Sequence, residues 1–273
     1  GDLGRSNDLL LRPPRTIPTA DTLVVESTYG DRKHVEEDTE AILAKAIVET
    51  AARGGTVLIP SFAVGRAQLL MHAIARLKQR GEIPDIPVFL DSPMAIDATK
   101  LYRRFRQYHR LSAEETTAMF RVAQLANTPE QSKAIAGVHV PSIIISASGM
   151  ATGGRVLHHL KRLAPDPANH IVFAGFQAGG TRGAAIVGGA TEVKIHGERY
   201  PVRASVTQLE GFSAHADADE LIEWLAAIER LPGQVWVTHG EPQAADALRH
   251  RIKETFGWKV RVPEHLETVD LAL

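Results

Sequence analysis

Two histidines sit where apolar runs give way to small-residue turns. His215 lies in Gly211-Phe212-Ser213-Ala214-His215-Ala216-Asp217 and His239 in Thr238-His239-Gly240-Glu241. The run Val235-Trp236-Val237 reads as a buried strand, so His239 falls at its C-terminal end, a usual place for a metal ligand or catalytic base in an α/β sheet. One histidine in such a place is more often structural than chemical. Two of them, joined by a single helix-sized segment at residues 219–230, can converge at one sheet edge and share a metal ion or a proton. Near the other end of the chain, Asp2 lies in Gly1-Asp2-Leu3-Gly4-Arg5, and Glu26 ends the run Leu23-Val24-Val25 ahead of Ser27-Thr28-Tyr29-Gly30. Flanked by apolar residues, Glu26 is expected to be at least partly buried and to need a partner.

Stepping outward from these residues, the middle of the chain alternates strand and helix signals. Apolar strand-like runs fall at residues 56–60, 87–90, 142–146 and 170–175. Helical periodicity covers 38–52, 66–80, 95–108 and 113–126. Continuous apolar strands separated by amphipathic helices indicate a parallel sheet covered on both faces. The strands end in small-residue loops at 61–65, 91–93, 146–154 and 175–183, and three of these lead into Arg66, Arg155 and Arg182. Tight βα turns account for each loop singly. Together, backbone donors and guanidinium groups at the carboxyl ends of strands suit a chain of phosphates. From about Lys194 the texture changes to alternating strands at 194–196 and 200–209, then the two histidine strings, a helix at 242–255 and a last strand at 259–262. The basic and aromatic segment at 100–110 is expected to turn Tyr102, Phe105 and Tyr108 to the core and its arginines to water.

The strings around Asp2, Glu26, His215 and His239, with Ile59-Pro60-Ser61-Phe62-Ala63-Val64-Gly65-Arg66 and Ser146-Ala147-Ser148-Gly149-Met150-Ala151-Thr152-Gly153-Gly154-Arg155, closely resemble the motifs of the metallo-β-lactamase superfamily, specifically its β-CASP nuclease branch. The match follows family order along essentially the whole chain; six strings together are specific where no single one would be. The fold this resemblance implies is α/β. A β-CASP domain at 30–193, with a mainly parallel sheet covered by helices, is flanked by the C-terminal part of a metallo-β-lactamase αββα core at 1–29 and 194–273.

The resemblance also implies chemistry, that of a phosphodiesterase with two zinc ions acting on RNA, single-stranded more than duplex. Asp2 would be the bridging carboxylate and His239 a ligand of one metal. His215 would be the general acid rather than a ligand, oriented by Glu26 accepting its other N–H. Ser61, Arg66, Ser146, Ser148, Gly149, Gly153, Gly154, Arg155 and Arg182 are the candidate phosphate contacts. His34, His72, His109, His139, His170, His250 and His265 match no motif and are expected to be surface or structural, and His196 to end a strand. A homodimer is compatible with the family. The His-x-His-x-Asp-His loop of such enzymes does not occur in the sequence, which begins at Gly1. The expectation is a C-terminal part of a longer enzyme, inactive by itself and unable to hold two zinc ions. The alternative reading is a non-catalytic RNA-binding or assembly module, against which the retained His215 and Glu26 argue.

Bulk properties set outer limits. Cysteine is absent, so disulfides and thiolate zinc sites are excluded and a metal would use histidine and carboxylate ligands. With 31 basic and 32 acidic residues, RNA affinity must come from a local surface and not an overall field. No apolar run reaches membrane-spanning length, so no membrane partner is expected and the default location is the cytoplasm.

Overall fold

The structure, a computed structural model, describes residues 2–271. Its elements in chain order begin with β1 (Thr22–Glu26), α1 (Thr39–Ala52), β2 (Thr56–Pro60), α2 (Arg66–Gln79), β3 (Val88–Asp91), α3 (Pro93–Arg104), α4 (Ala113–Arg121) and β4 (Gln124–Leu125). There follow α5 (Pro129–Ile135), β5 (Ser142–Ser146), α6 (Val156–Leu163), β6 (His170–Ala174), α7 (Arg182–Val187), β7 (Glu192–Ile195), β8 (Glu198–Pro201) and β9 (Ser205–Leu209). The last are α8 (Ala218–Ala226), β10 (Gln234–Thr238), α9 (Pro242–Phe256) and β11 (Val260–Arg261).

Two compact units result, one formed by residues 36–213 and the other by residues 1–35 with 214–273. In the larger unit six strands form a parallel sheet in the order β4-β3-β5-β2-β6-β9. Every residue of β2, β5 and β6 is buried, as the unbroken apolar runs require when helices cover both faces. On one side Leu58, Ile144, Ile171 and Phe173 pack with Leu157, Leu160 and Leu163 of α6 and Ile186 of α7. α1 lies against β2, β6 and β9. The first and last stretches of this unit meet: Glu37 Oε1 accepts the N–H groups of Glu210 and Gly211, each at 3.1 Å.

In the smaller unit β10 lies between β1 and β11, all parallel. Leu23, Val25, Val235 and Val237 pack against Leu221 and Leu225 of α8 and Leu248 and Ile252 of α9. Alternation in β1 sends Leu23 and Val25 to this core, and the sheet delivers Glu26 and Thr238 side by side at its C-terminal edge, where they are register partners.

The compact units divide between 35 and 36 and between 213 and 214, because β9 completes the large sheet by pairing along its length with β6. Other expectations are revised. The run expected as one strand at 200–209 is two strands, and β7 and β8 form an antiparallel hairpin. His196 ends no strand at a junction; with φ of 50° and Gly197 at 90°, it occupies the two-residue turn of that hairpin, whose left-handed backbone fits the twist of the flanking strands. α3 stops at Arg104 and a 3-10 turn covers Arg106–Tyr108. The aromatic stripe is therefore broken, and Phe105 and Tyr108 are exposed at 39% and 70%.

Beyond β3 lies a buried ionic knot. Asp91 is fully buried and meets Arg155 Nη1 at 2.8 Å, His159 Nε2 at 2.7 Å and the Ser132 hydroxyl at 2.6 Å. Burial alone would raise the Asp91 carboxyl, but the hydrogen bonds from His159, Ser132 and Arg155 outweigh it and hold the group below its ordinary value. A depressed folded-state value stabilises the protein above the ordinary carboxylate range, and that stability is lost as pH falls through the folded-state value. Asp91→Asn is expected to cost roughly 3–5 kcal/mol at neutral pH and to flatten the loss of stability below about pH 4. Urea unfolding at neutral and acid pH measures both effects; equal acid sensitivity in the two proteins would exclude Asp91 as its source.

Candidate metal and proton-transfer site

The C-terminal edge of the small sheet gathers residues that are far apart in sequence. Glu26 is 2% exposed and both its oxygens face His215 Nδ1, at 3.0 and 2.9 Å. The same carboxylate accepts the Leu3 N–H at 2.8 Å and the Thr28 N–H at 3.3 Å. Burial pushes the Glu26 carboxyl up, but the hydrogen bond and positive charge of His215, with the Thr28 and Leu3 donors, bring it below its ordinary value. It is therefore an anion at neutral pH, able only to accept, so His215 presents Nδ1–H to it.

The backbone completes the placement. Ala216 N–H donates to the Leu3 carbonyl at 2.8 Å, and Gly4 bridges His215 in antiparallel fashion. The segment carrying Asp2 is thus laid along the segment carrying His215. Asp217 caps α8, accepting from the N–H groups of Asp219 and Glu220, and its other oxygen holds the His34 N–H at 2.9 Å. His34 in turn reaches the His215 carbonyl with Nε2 at 2.9 Å and lies beside the Tyr29 ring, centroids 4.7 Å apart. The sequence offered no reason to choose His34; its link to the site is a backbone carbonyl, which leaves no motif.

His239 follows β10 with a φ of 57°, a backbone uncommon for any residue but glycine. Gly240 must follow it: a Cβ there would lie 2.4 Å from both the carbonyl and the hydroxyl oxygen of Ser27. Ser27 itself ties β1 to β10 by donating to the Thr238 carbonyl at 2.8 Å. The ring of His239 lies 5.6 Å from that of His215, centroid to centroid, and its Nδ1 is 3.6 Å from Asp2 Oδ1.

Asp2, His215 and His239 each offer one ligand atom, all within 4.8 Å of one another. Two imidazole nitrogens and a carboxylate oxygen are a donor set that zinc accepts. Asp2 and His239 are exposed, with side chains at 61% and 58%, so an ion would reach them. The residues present fit a metal. His215 is drawn into this cluster as well as into its pair with Glu26, so geometry alone gives it both a ligand's and a proton donor's neighbours.

The larger unit treats the candidate phosphate contacts differently. Arg155 is turned inward, its guanidinium spent on Asp91 and on the carbonyls of Ala126 and Asn127, both at 2.9 Å. Arg182 braces the carbonyls of Ala151, Thr152 and Lys194. Arg66 is 7% exposed and its guanidinium packs over Gly175. Ser146 is buried and donates to the Asp91 carbonyl at 3.1 Å, and buried Ser61 donates to the Phe62 carbonyl at 3.0 Å. The Ser148 hydroxyl accepts the N–H groups of Thr152 and Gly153. Gly154 lets the backbone pass at φ 77°, and a Cβ on Gly149 would strike the Phe62 ring at 2.8 Å. These side chains shape the loops from within. The guanidinium groups of Arg155 and Arg182 are held by a buried aspartate and by backbone carbonyls.

Two family descriptions match the chain in succession: the Beta-Casp domain over residues 67–186, and the Zn-dependent metallo-hydrolase RNA specificity domain over residues 199–263. The chain carries a β-CASP domain. Its relatives include a ribonuclease of Thermus thermophilus, 40% identical over 258 residues, covering 91% of this chain and 58% of the relative. Transcription termination factor FttA of Pyrococcus abyssi is 36% identical over 281 residues, covering 96% of this chain and 43% of the relative. The chain thus spans about half the length of the relatives it matches. Among the described residues no helix is long and apolar enough to cross a membrane.

In this β-CASP chain the closeness of Ser27 to Gly240 is directly testable. Gly240→Ala is expected to force β1 and β10 apart at the site edge and to cost about 1–3 kcal/mol. Gly54→Ala, at a left-handed position with open space around it, serves as a control for backbone strain without a clash. Chemical denaturation of both, with the Trp236 signal as reporter, checks this; equal losses would show that the contact with Ser27 is easily relieved.

Proposed function

We propose that this chain supplies the proton donor and part of the metal-holding set of a zinc-dependent ribonuclease that cleaves phosphodiester bonds in RNA, single strands in preference to duplexes. The observation that carries this reading is the buried Glu26–His215 pair set beside Asp2 and His239. The matched family descriptions, which speak of a zinc-dependent hydrolase and of RNA specificity, support it. So does the presence of a Thermus thermophilus ribonuclease among the relatives.

Zinc bound here supplies Lewis acidity that neutralises charge developing on the phosphate and makes water a stronger nucleophile. Asp2 and His239 are the residues that would help to hold the zinc. The work of the chain's own residues is positional and protonic. Glu26, ionised and buried, keeps the His215 proton on Nδ1 and stabilises the ring when Nε2 is also protonated. Nε2 then gives its proton to the leaving oxygen of the cleaved strand. Asp217 and His34 hold the His215 backbone so that the ring keeps its aim.

In a zinc-loaded enzyme of the relatives' full length, His215→Ala is expected to lower kcat by about 10²–10⁴-fold while zinc content and RNA affinity stay nearly unchanged. His239→Ala is expected to deplete zinc and to lose activity through that depletion. Metal analysis alongside cleavage of a labelled single-stranded RNA separates the roles. Parallel loss of zinc and activity in His215→Ala would make His215 a ligand. RNA binding without cleavage by that longer protein at saturating zinc would support the non-catalytic module.

A further inference from the structure

We infer that Thr28 is a positioning residue that sets the ring tautomers of His215 and His239 together, so that both carry their proton on Nδ1. Its hydroxyl oxygen lies 3.3 Å from Nδ1 of His215, 3.3 Å from Nδ1 of His239 and 3.2 Å from the His239 carbonyl oxygen. The residue is 7% exposed, and its N–H donates to Glu26 Oε2 at 3.3 Å, which fixes it to the same carboxylate.

A hydroxyl has one proton and two lone pairs, and a carbonyl can only accept. The Thr28 proton therefore goes to the His239 carbonyl, and the oxygen offers lone pairs to the two Nδ1 atoms. Each Nδ1 faces a second acceptor as well: Glu26 for His215, and Asp2 Oδ1 at 3.6 Å for His239. With the ring proton on Nε2, both imidazoles would turn a lone pair toward this group of oxygens. With it on Nδ1, every donor meets an acceptor.

Glu26 directs only His215. Thr28 is the group that reaches both rings, and by holding the His239 carbonyl it also supports the left-handed backbone from which that ring projects. Thr28, between Ser27 and Tyr29, carries no periodic or spacing signal of its own.

The tautomer assignment concerns the rings themselves; it rests on the proposed function only for the use to which Nε2 is put. Two-bond proton–nitrogen NMR correlations on the metal-free chain of residues 1–273, at alkaline pH, read the tautomer of each histidine directly. Wild-type protein is expected to show Nδ1–H for both His215 and His239. Thr28→Ser, which keeps the hydroxyl, is expected to retain that pattern. Thr28→Val, close in shape but lacking the hydroxyl, is expected to move His239 toward the Nε2–H form while His215, held by Glu26, stays.

A wild-type spectrum with Nε2–H at His239 overturns the inference whatever the variants do. So does a Thr28→Val spectrum identical to wild type, or a Thr28→Ser spectrum identical to Thr28→Val. In the zinc-loaded protein Thr28→Val is expected to weaken zinc binding by roughly 10–100-fold, with rescue by Thr28→Ser. Failure to cleave RNA, with both Nδ1–H signals present, counts against the ribonuclease reading and not against this assignment.

Discussion

A single buried carboxylate holds the site together. Glu26 is removed from water, and such a group survives as an anion only if donors surround it. Its donors come from three separate stretches: the Leu3 N–H, the Thr28 N–H and the His215 ring. Satisfying one charge therefore draws the segment bearing Asp2, the end of β1 and the turn before α8 into one place. The same requirement that stabilises the anion orders the chemistry around it.

The rest of the small unit serves that placement. Parallel pairing of β1 with β10 brings Glu26 and Thr238 level, and the tight contact between Ser27 and Gly240 lets His239 leave the strand in a left-handed turn. The capping box of α8 gives Asp217 two uses, one for the helix and one for the loop carrying His34. Side chains held at strand ends and helix starts lose little freedom when they bind a ligand. In the large unit the comparable anion, Asp91, is buried for architecture instead: its donors join β3 to α5 and α6.

How far the sequence could be read depended on what kind of force set each feature. The central strands β2, β5 and β6 and the helices α1 and α2 stood out because burial on two faces writes unbroken apolar runs and helical periodicity. That His215 and His239 could share one sheet edge was legible because both sit where apolar runs give way to small-residue turns, whereas Asp2 and Glu26 joined them only through the family resemblance. The inward arginines were not legible. Whether Arg155 points to a phosphate or to Asp91 is decided by a partner 64 residues away, and a residue type carries no record of that choice. The short helices α5, α6 and α7 were passed over because turns of glycine, serine and proline surround them, and the membership of β9 in the large sheet was not legible because edge strands are only half buried.

The clasp at Glu37 has a bearing on how such a chain assembles. Glu26 and His215 stand 189 residues apart in sequence, and joining two points across a long flexible loop costs entropy that grows with the logarithm of its length. Residues 36–213 are not a flexible loop, because one carboxylate pins their two ends to each other. Once the insert has folded, the small unit experiences it as a short tether rather than a long one. An insertion of this size is then tolerated at little entropic expense, and the pieces of the site find one another at the effective concentration of near neighbours.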